Sequence, residues 1–305
     1  MKRVVSVSLG SSKRDHRVET TILGEKFTIE RVGTDGDMKR AIEIVHELDG
    51  KVDAFGLGGT DLYVGPPGHR YMLRGALPLV RAAKVTPFLD GGGLKNTLER
   101  RVVKYMAQKG LVKAGQNVFI VCAMDRFGLA EAMFEVGARV VLGDLMFVLG
   151  IGVPIRSMHT LNVLASLIAP LACRLPLAML YPIGKSQEKP PRPKFTKHYL
   201  GADIVAGDYH YIHRHIRDRL EGKTILTNTV TASDVEDLRK RGVATLVTTT
   251  PELSGRSFGT NVMEGVLVAL AGKRPDELTP ADYDRLLDQI GFEPRVQELQ
   301  ATAAS

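Results

Sequence analysis

Cysteine is scarce: the 305 residues contain only Cys122 and Cys173, both in apolar surroundings and far apart in sequence. That excludes a disulfide framework and any cysteine-based metal spacing, and fits a reducing compartment. Uninterrupted hydrophobic runs are also missing. The most apolar stretch, 142–183, is broken by Arg156, Pro170, Arg174 and Pro176, so it reads as buried helix and no membrane partner is expected. Met1-Lys2-Arg3 leads directly into VVSVSLG, which is too short for a signal h-region; a cytoplasmic location is the expectation. No internal repeat, low-complexity tract or DNA-reading motif is present.

What is there is ordinary globular material, 44% hydrophobic and 25% charged, with a formal charge of +7. The basic residues are scattered rather than clustered on one element, so a small anionic metabolite is favoured over nucleic acid as the partner. A homodimer is compatible with this composition. The length suits two domains.

The pattern of the first hundred residues is strand and helix in turn: VVSVSLG, VETTILGEKFTIERV, the helix-like MKRAIEIVHELDG, VDAFGLGG, LPLVRAAK, VTPFLD and LKNTLERRVVKYMAQKG. From Asn117 five apolar runs alternate with five helical patterns, NVFIVCAM, ARVVLGD, ADIVAGD, KTILTNTVT and VATLVTTT being the strands. Alternation of that kind implies a parallel sheet wound on both faces. The expected fold is therefore α/β: a small α/β substrate domain over 1–113, a Rossmann-like doubly wound domain over 114–278, and a C-terminal helix with a disordered tail over 279–305 that packs back. Thr279 and Pro280 mark the start of that helix. The proline-rich, basic segment 184–198 must be a loop, either solvated or a lid over an anion.

Ligands in such sheets bind outside the carboxyl ends of the strands. In the second domain those ends carry Asp125, Arg126, Asp144, Asp208, Thr229 and Thr249. Asp144 stands at the distance from the first turn where a dinucleotide fold places an acid on the ribose diol, which favours NAD over NADP. The turn VCAMDRFG offers one glycine, Gly128, in place of G-x-G-x-x-G. Any pyrophosphate contact must then be remade, with Arg126 the candidate. SGRSFGTNVMEG, 254–265, could receive a second anion at a helix N-terminus under Arg256, or be plain capping. The histidines of GDYHYIHRHIRDR do not converge as metal ligands, so no metal site is expected.

In the first domain SLGSSKRDH, GLGGTDLY and DGGGLKNTLER each follow a strand and combine glycine with ligand-contacting groups. Ser11, Ser12 and Asn96 are the substrate-binding candidates. Lys95 is the acid/base candidate, oriented by Asp61 or Asp90.

Through VSVSLGSSKRDH, VDAFGLGGTDLY, DGGGLKNTLERR, DRFGLAEA and GRSFGTNVMEG the chain resembles the bacterial family labelled quinate 5-dehydrogenase. The resemblance implies a substrate domain followed by a nucleotide domain, paired serines for a substrate carboxylate, and a lysine with an aspartate at the reacting hydroxyl. It also implies an NAD-dependent oxidoreductase acting on a cyclic hydroxy acid. The residues alone leave a second reading open, a non-redox binding protein or transferase for a nucleotide or phosphorylated metabolite.

Overall fold

The run KRVVSVS forms β1 (Lys2–Ser8), buried on both faces from Val4 onward, as befits the centre of a sheet covered on each side. The computed structural model to which it belongs describes residues 1–66, 68–181, 184, 190–216, 219–250, 252–253 and 256–300, the side chains of 252, 253, 256 and 257 excepted.

The chain forms two units, Met1–Thr97 with Ser166–Lys189 and Phe258–Phe292, and Leu98–Ala165 with Pro190–Ser257 and Glu293–Ser305. In the first, β2 (His16–Ile22) and β3 (Glu25–Gly33) make an antiparallel hairpin. Its turn residues Leu23 and Gly24 take φ of 51° and 81°, the left-handed pair that a two-residue hairpin turn requires. β3 then pairs in parallel with β1, β1 with β4 (Ala54–Gly58), and β4 with β7 (Phe88–Leu89). Between β4 and β7 lies a short ribbon of β5 (Tyr63–Val64) and β6 (Tyr71–Met72). The sheet order is β2-β3-β1-β4-β7, so the chain leaves β1 on one side and returns on the other. The crevice between the ends of β1 and β4 is the switch point of this sheet. Its helices include Met38–Leu48, capped by Asp37, and Thr260–Ala271, which lies on β1, β4 and β7. Helix Pro280–Gln289 opens on a capping box of Thr279 and Asp282, with Pro280 in the first turn, and packs on Thr260–Ala271.

The second unit's sheet contains the five expected strands, β8 (Asn117–Ile120), β9 (Arg139–Leu142), β10 (Ile204–Ala206), β11 (Thr224–Thr227) and β12 (Thr245–Thr248), all parallel. A two-residue hairpin of β13 (Glu252–Leu253) and β14 (Arg256–Ser257) follows. β15 (Arg295–Glu298), not expected from the sequence, adds an antiparallel edge to β12. The order is β15-β12-β11-β10-β8-β9. Its parallel part is the doubly wound order with the second strand outermost, rather than the six-strand dinucleotide order, and its switch point falls between β8 and β10.

The units differ from the expected 1–113, 114–278 and 279–305. Helix Gly92–Gln108 runs unbroken through the change of unit after Thr97. The segment 258–292 belongs with the first sheet because its helix covers β1 and β4. The tail 301–305 lies outside the described residues. Helix Met158–Ala172, expected to be buried, buries Leu161, Ala165 and Ala169 but leaves Val163, Leu167 and Leu171 at 47%, 73% and 72% exposure. No described helix is long and apolar enough to cross a membrane.

Candidate functional site

Three loops leave the carboxyl edge of the first sheet, after β1, β4 and β7, and Asp90 fastens two of them. Its Oδ2 accepts the backbone N–H groups of Leu62 and Tyr63 at 2.9 and 3.0 Å, and its Oδ1 accepts Gly92 N–H at 2.8 Å. Asp90 is therefore a loop clamp. The partner of Lys95 is Asp61: Nζ lies 2.6 Å from Oδ1, and each side chain is about one-eighth exposed. Tyr181 donates its hydroxyl to the other carboxylate oxygen at 3.0 Å. An acid, a base and a phenol are thus gathered beside the switch point.

The loop after β1 is held internally. Ser11 is buried and its hydroxyl caps the Ser12–Arg14 turn. Ser12 is tied to Asp35, donating from both N–H (2.9 Å) and Oγ (2.8 Å). Arg31, which no sequence motif marks, donates to Asp15 Oδ1 at 2.6 Å, Ser11 O at 3.0 Å and Ser8 Oγ at 2.9 Å. Burial, with Arg14 nearby, lowers its pKa to about 10. The paired serines are engaged by this framework rather than presented together. Asn96 is half-buried on the turn after Lys95.

Glu264 is a second unmarked group, and its one sequence signal is that it is a lone acid in the apolar run NVMEGVLVALAG. It is buried, and its Oε1 accepts the Tyr283 hydroxyl at 3.0 Å. Burial and the neighbouring Asp90 carboxylate push its pKa up to about 7. A Cβ on Gly93 would overlap Glu264 Oε1, so this glycine is required by close approach.

At the switch point of the second sheet, Asp144 is buried and its Oδ1 accepts the N–H groups of Ala123 at 3.0 Å and Met124 at 2.9 Å. These donors belong to the turn that would face a phosphate in a dinucleotide site. Burial raises the Asp144 pKa; burial together with Asp144 and Asp125 keeps the Cys122 thiol protonated. The expectation of NAD rested on Asp144 reaching a ribose, and this carboxylate is spent on its own backbone. Arg126 is likewise occupied. Its buried guanidinium pairs with Glu99, with Asp208 at 3.5 Å and with Asp125 at 3.7 Å. Burial opposes the Asp208 carboxylate, but His210, Arg126 and the Asn228 amide, at 2.7 Å, together hold its pKa below the usual range.

Gly128 is buried inside helix Phe127–Glu135. Thr229 is half-buried. Thr249 is buried, and its Oγ1 has no hydrogen-bond partner among the described residues. The Arg256 side chain, Ser254, Gly255 and 185–189 of the basic loop lie outside the described residues. Asp208 caps helix Tyr209–His215 through His210 N–H. Among the described residues no group of three or more His, Cys, Asp or Glu is placed to hold a metal.

Residues 93–299 match the family model described as Domain of unknown function (DUF8754), and residues 3–90 match Domain of unknown function (DUF8753). The chain belongs to the DUF8754 family. No curated protein matches it. Among solved structures, this DUF8754 protein is similar to an ABC transporter solute binding protein from Burkholderia multivorans (17% identity, 91% of this chain and 96% of that chain, TM-score 0.38). It is also similar to a galactofuranose binding protein (14%, 95% and 99%, TM-score 0.37) and to a periplasmic ribose ABC transporter protein from Conexibacter woesei (12%, 86% and 84%, TM-score 0.36). At such TM-scores the likeness assigns no ligand to this chain. None of these is a dehydrogenase, and the matching family models carry no activity. The expected quinate 5-dehydrogenase membership is corrected on this finding, and with it the NAD-dependent oxidoreductase activity. The cytoplasmic location is withdrawn as well, since it does not agree with the periplasmic name among these structures.

Proposed function

We propose that this DUF8754 protein is a binding protein for a small hydroxylated metabolite, held at the carboxyl edge of the first sheet. The observation that carries the reading is the Asp61–Lys95 pair at 2.6 Å, with Tyr181 on the second carboxylate oxygen. A hydroxyl both donates and accepts, and a carboxylate beside an ammonium serves both needs in one place. Asp61 balances Lys95, and Asp90 adds a negative charge nearby, so a neutral polyol fits this edge better than the anion expected from the overall charge. The pair is largely withdrawn from water, which strengthens hydrogen bonds to a ligand that displaces the remainder. Asp90 and Arg31 hold the surrounding loops, so little ordering remains to be done on binding.

Calorimetry with pentoses, hexoses and cyclic polyols tests the reading. Wild type should bind at least one, and Asp61→Asn should weaken it by about tenfold or more, as for a lost hydrogen bond to a charged group. Tyr181→Phe should weaken it less, because it removes a hydroxyl from Asp61 without removing an ion. Undiminished binding by a folded Asp61→Asn protein would move the site elsewhere.

A further inference from the structure

We infer that the first unit carries a second, separate site, an arginine-lined cleft that binds a phosphate-bearing small molecule. The cleft has a volume of about 620 Å³ and is lined by Arg70, Arg74, Arg81 and Arg174, with the ring of Tyr71 and an apolar wall that includes Leu77 and Cys173. Among the described residues no carboxylate lines it. Among the described residues none of the four guanidinium groups is ion-paired; the one side-chain bond among them is Arg70 Nη2 donating to Gly92 O at 3.1 Å.

Four guanidinium groups around one opening repel one another. A counter-anion relieves that repulsion. The planar guanidinium fork matches the oxygens of a phosphate two at a time, and several forks favour a multiply charged anion over a single carboxylate. The volume lies within the usual range for metabolite sites, and the Tyr71 ring with the apolar wall provides a surface for an uncharged or aromatic body next to the phosphate.

The arginines stand on backbone that is fastened together. Arg74 N–H donates to Cys173 O at 3.0 Å, tying the 70–81 segment to the 170–177 segment, and Leu73 N–H donates to Leu62 O at 2.9 Å. At Gly75 an added Cβ would come within 2.7 Å of Leu177 Cγ, so the two segments meet without room for a side chain. Tyr71 and Met72 pair with Val64 and Tyr63 across the β5–β6 ribbon. The backbone that carries these like charges is therefore fixed before a ligand arrives, and the exposed guanidinium groups close on it from there.

The test is calorimetry of the full chain with inorganic pyrophosphate, AMP and adenosine. Pyrophosphate and AMP should bind, more weakly as sodium chloride is raised, and adenosine should not. The double variant Arg74→Gln/Arg174→Gln should lose about tenfold or more in affinity for both anions, with Tm in the absence of ligand unchanged or higher. Arg17→Gln, at an exposed arginine paired with Glu19, should bind as wild type, and so should Asp61→Asn, which separates this site from the one proposed above. Equal losses in Arg17→Gln and the double variant would reduce the effect to overall charge and overturn the site. Binding to phosphatidylserine vesicles, without binding of pyrophosphate or AMP, would assign the arginines to a lipid headgroup and overturn it too.

Discussion

Glu264→Gln removes a carboxyl group that the fold holds uncharged through the acid range and ionises at a cost near neutrality. Its pKa is raised from the ordinary 4.5 to about 7, first by burial and then by Asp90, against the opposing hydroxyl of Tyr283. Between those values the native protein keeps a proton that the unfolded chain has released, so the contribution to stability falls as pH rises. It is fully present below pH 4.5 and lost by the time pH has passed about 7. At ~1.4 kcal/mol for each tenfold change in proton affinity, the whole span is worth ~3 kcal/mol. Glutamine has the shape of the protonated acid and an amide oxygen that can still accept from Tyr283, so the variant lacks this loss. Urea unfolding at pH 5, 6, 7 and 8 should show the two proteins converging toward pH 5, and the variant the more stable by up to ~3 kcal/mol at pH 8. His198, His213 and His215, whose pKa values burial lowers, give a slope of the opposite sign. That slope is common to both proteins and cancels in the comparison. A difference between variant and wild type that does not change with pH would refute the argument.

Gly93→Ala should destabilise by about 1–3 kcal/mol, the usual cost of forcing a methyl into a filled site, because the new Cβ meets Glu264 Oε1; thermal unfolding reads it, and Gly93→Ala/Glu264→Ala should recover part of the loss. Arg126→Met should cost about 3–5 kcal/mol in urea unfolding, since it strands the buried Glu99 carboxylate. A loss below about 1 kcal/mol would show that the cluster around Arg126 is neutralised in some other way. Asp144→Ala should lower stability by about 1–3 kcal/mol, because the N–H groups of Ala123 and Met124 lose their acceptor.

The second sheet was legible because its strands are short apolar runs punctuated by helices, a pattern set by local burial alone. β15 was not, since RVQE has no buried run of its own and becomes a strand only by pairing with β12. Lys95 with Asp61 or Asp90 was legible as a cluster because each sits just after a strand at the same sheet edge, whereas which aspartate pairs with the lysine and which clamps the loops is settled only by the tertiary contacts. Tyr181 gave no signal: it reaches Asp61 from more than a hundred positions away in sequence, and nothing local marks it. Asp144 shows the opposite failure, a spacing that matches a ligand contact while the carboxylate serves the backbone twenty residues before it. The sequence boundary near 113 followed a turn, whereas the units are set by which helix covers which sheet.

Helix Thr260–Ala271 has a consequence for how the protein is made. Through Gly265 it rests against Val4, Ala54 and Leu89, three strands of the first sheet. Those strands leave the ribosome early, and their cover is synthesised only after nearly all of the second unit. The newborn first sheet must wait with an apolar face open, a state prone to aggregation and a natural client for a chaperone. A fragment cut at residue 90 would be held in that state permanently, so neither unit can be obtained by truncating the chain at one point.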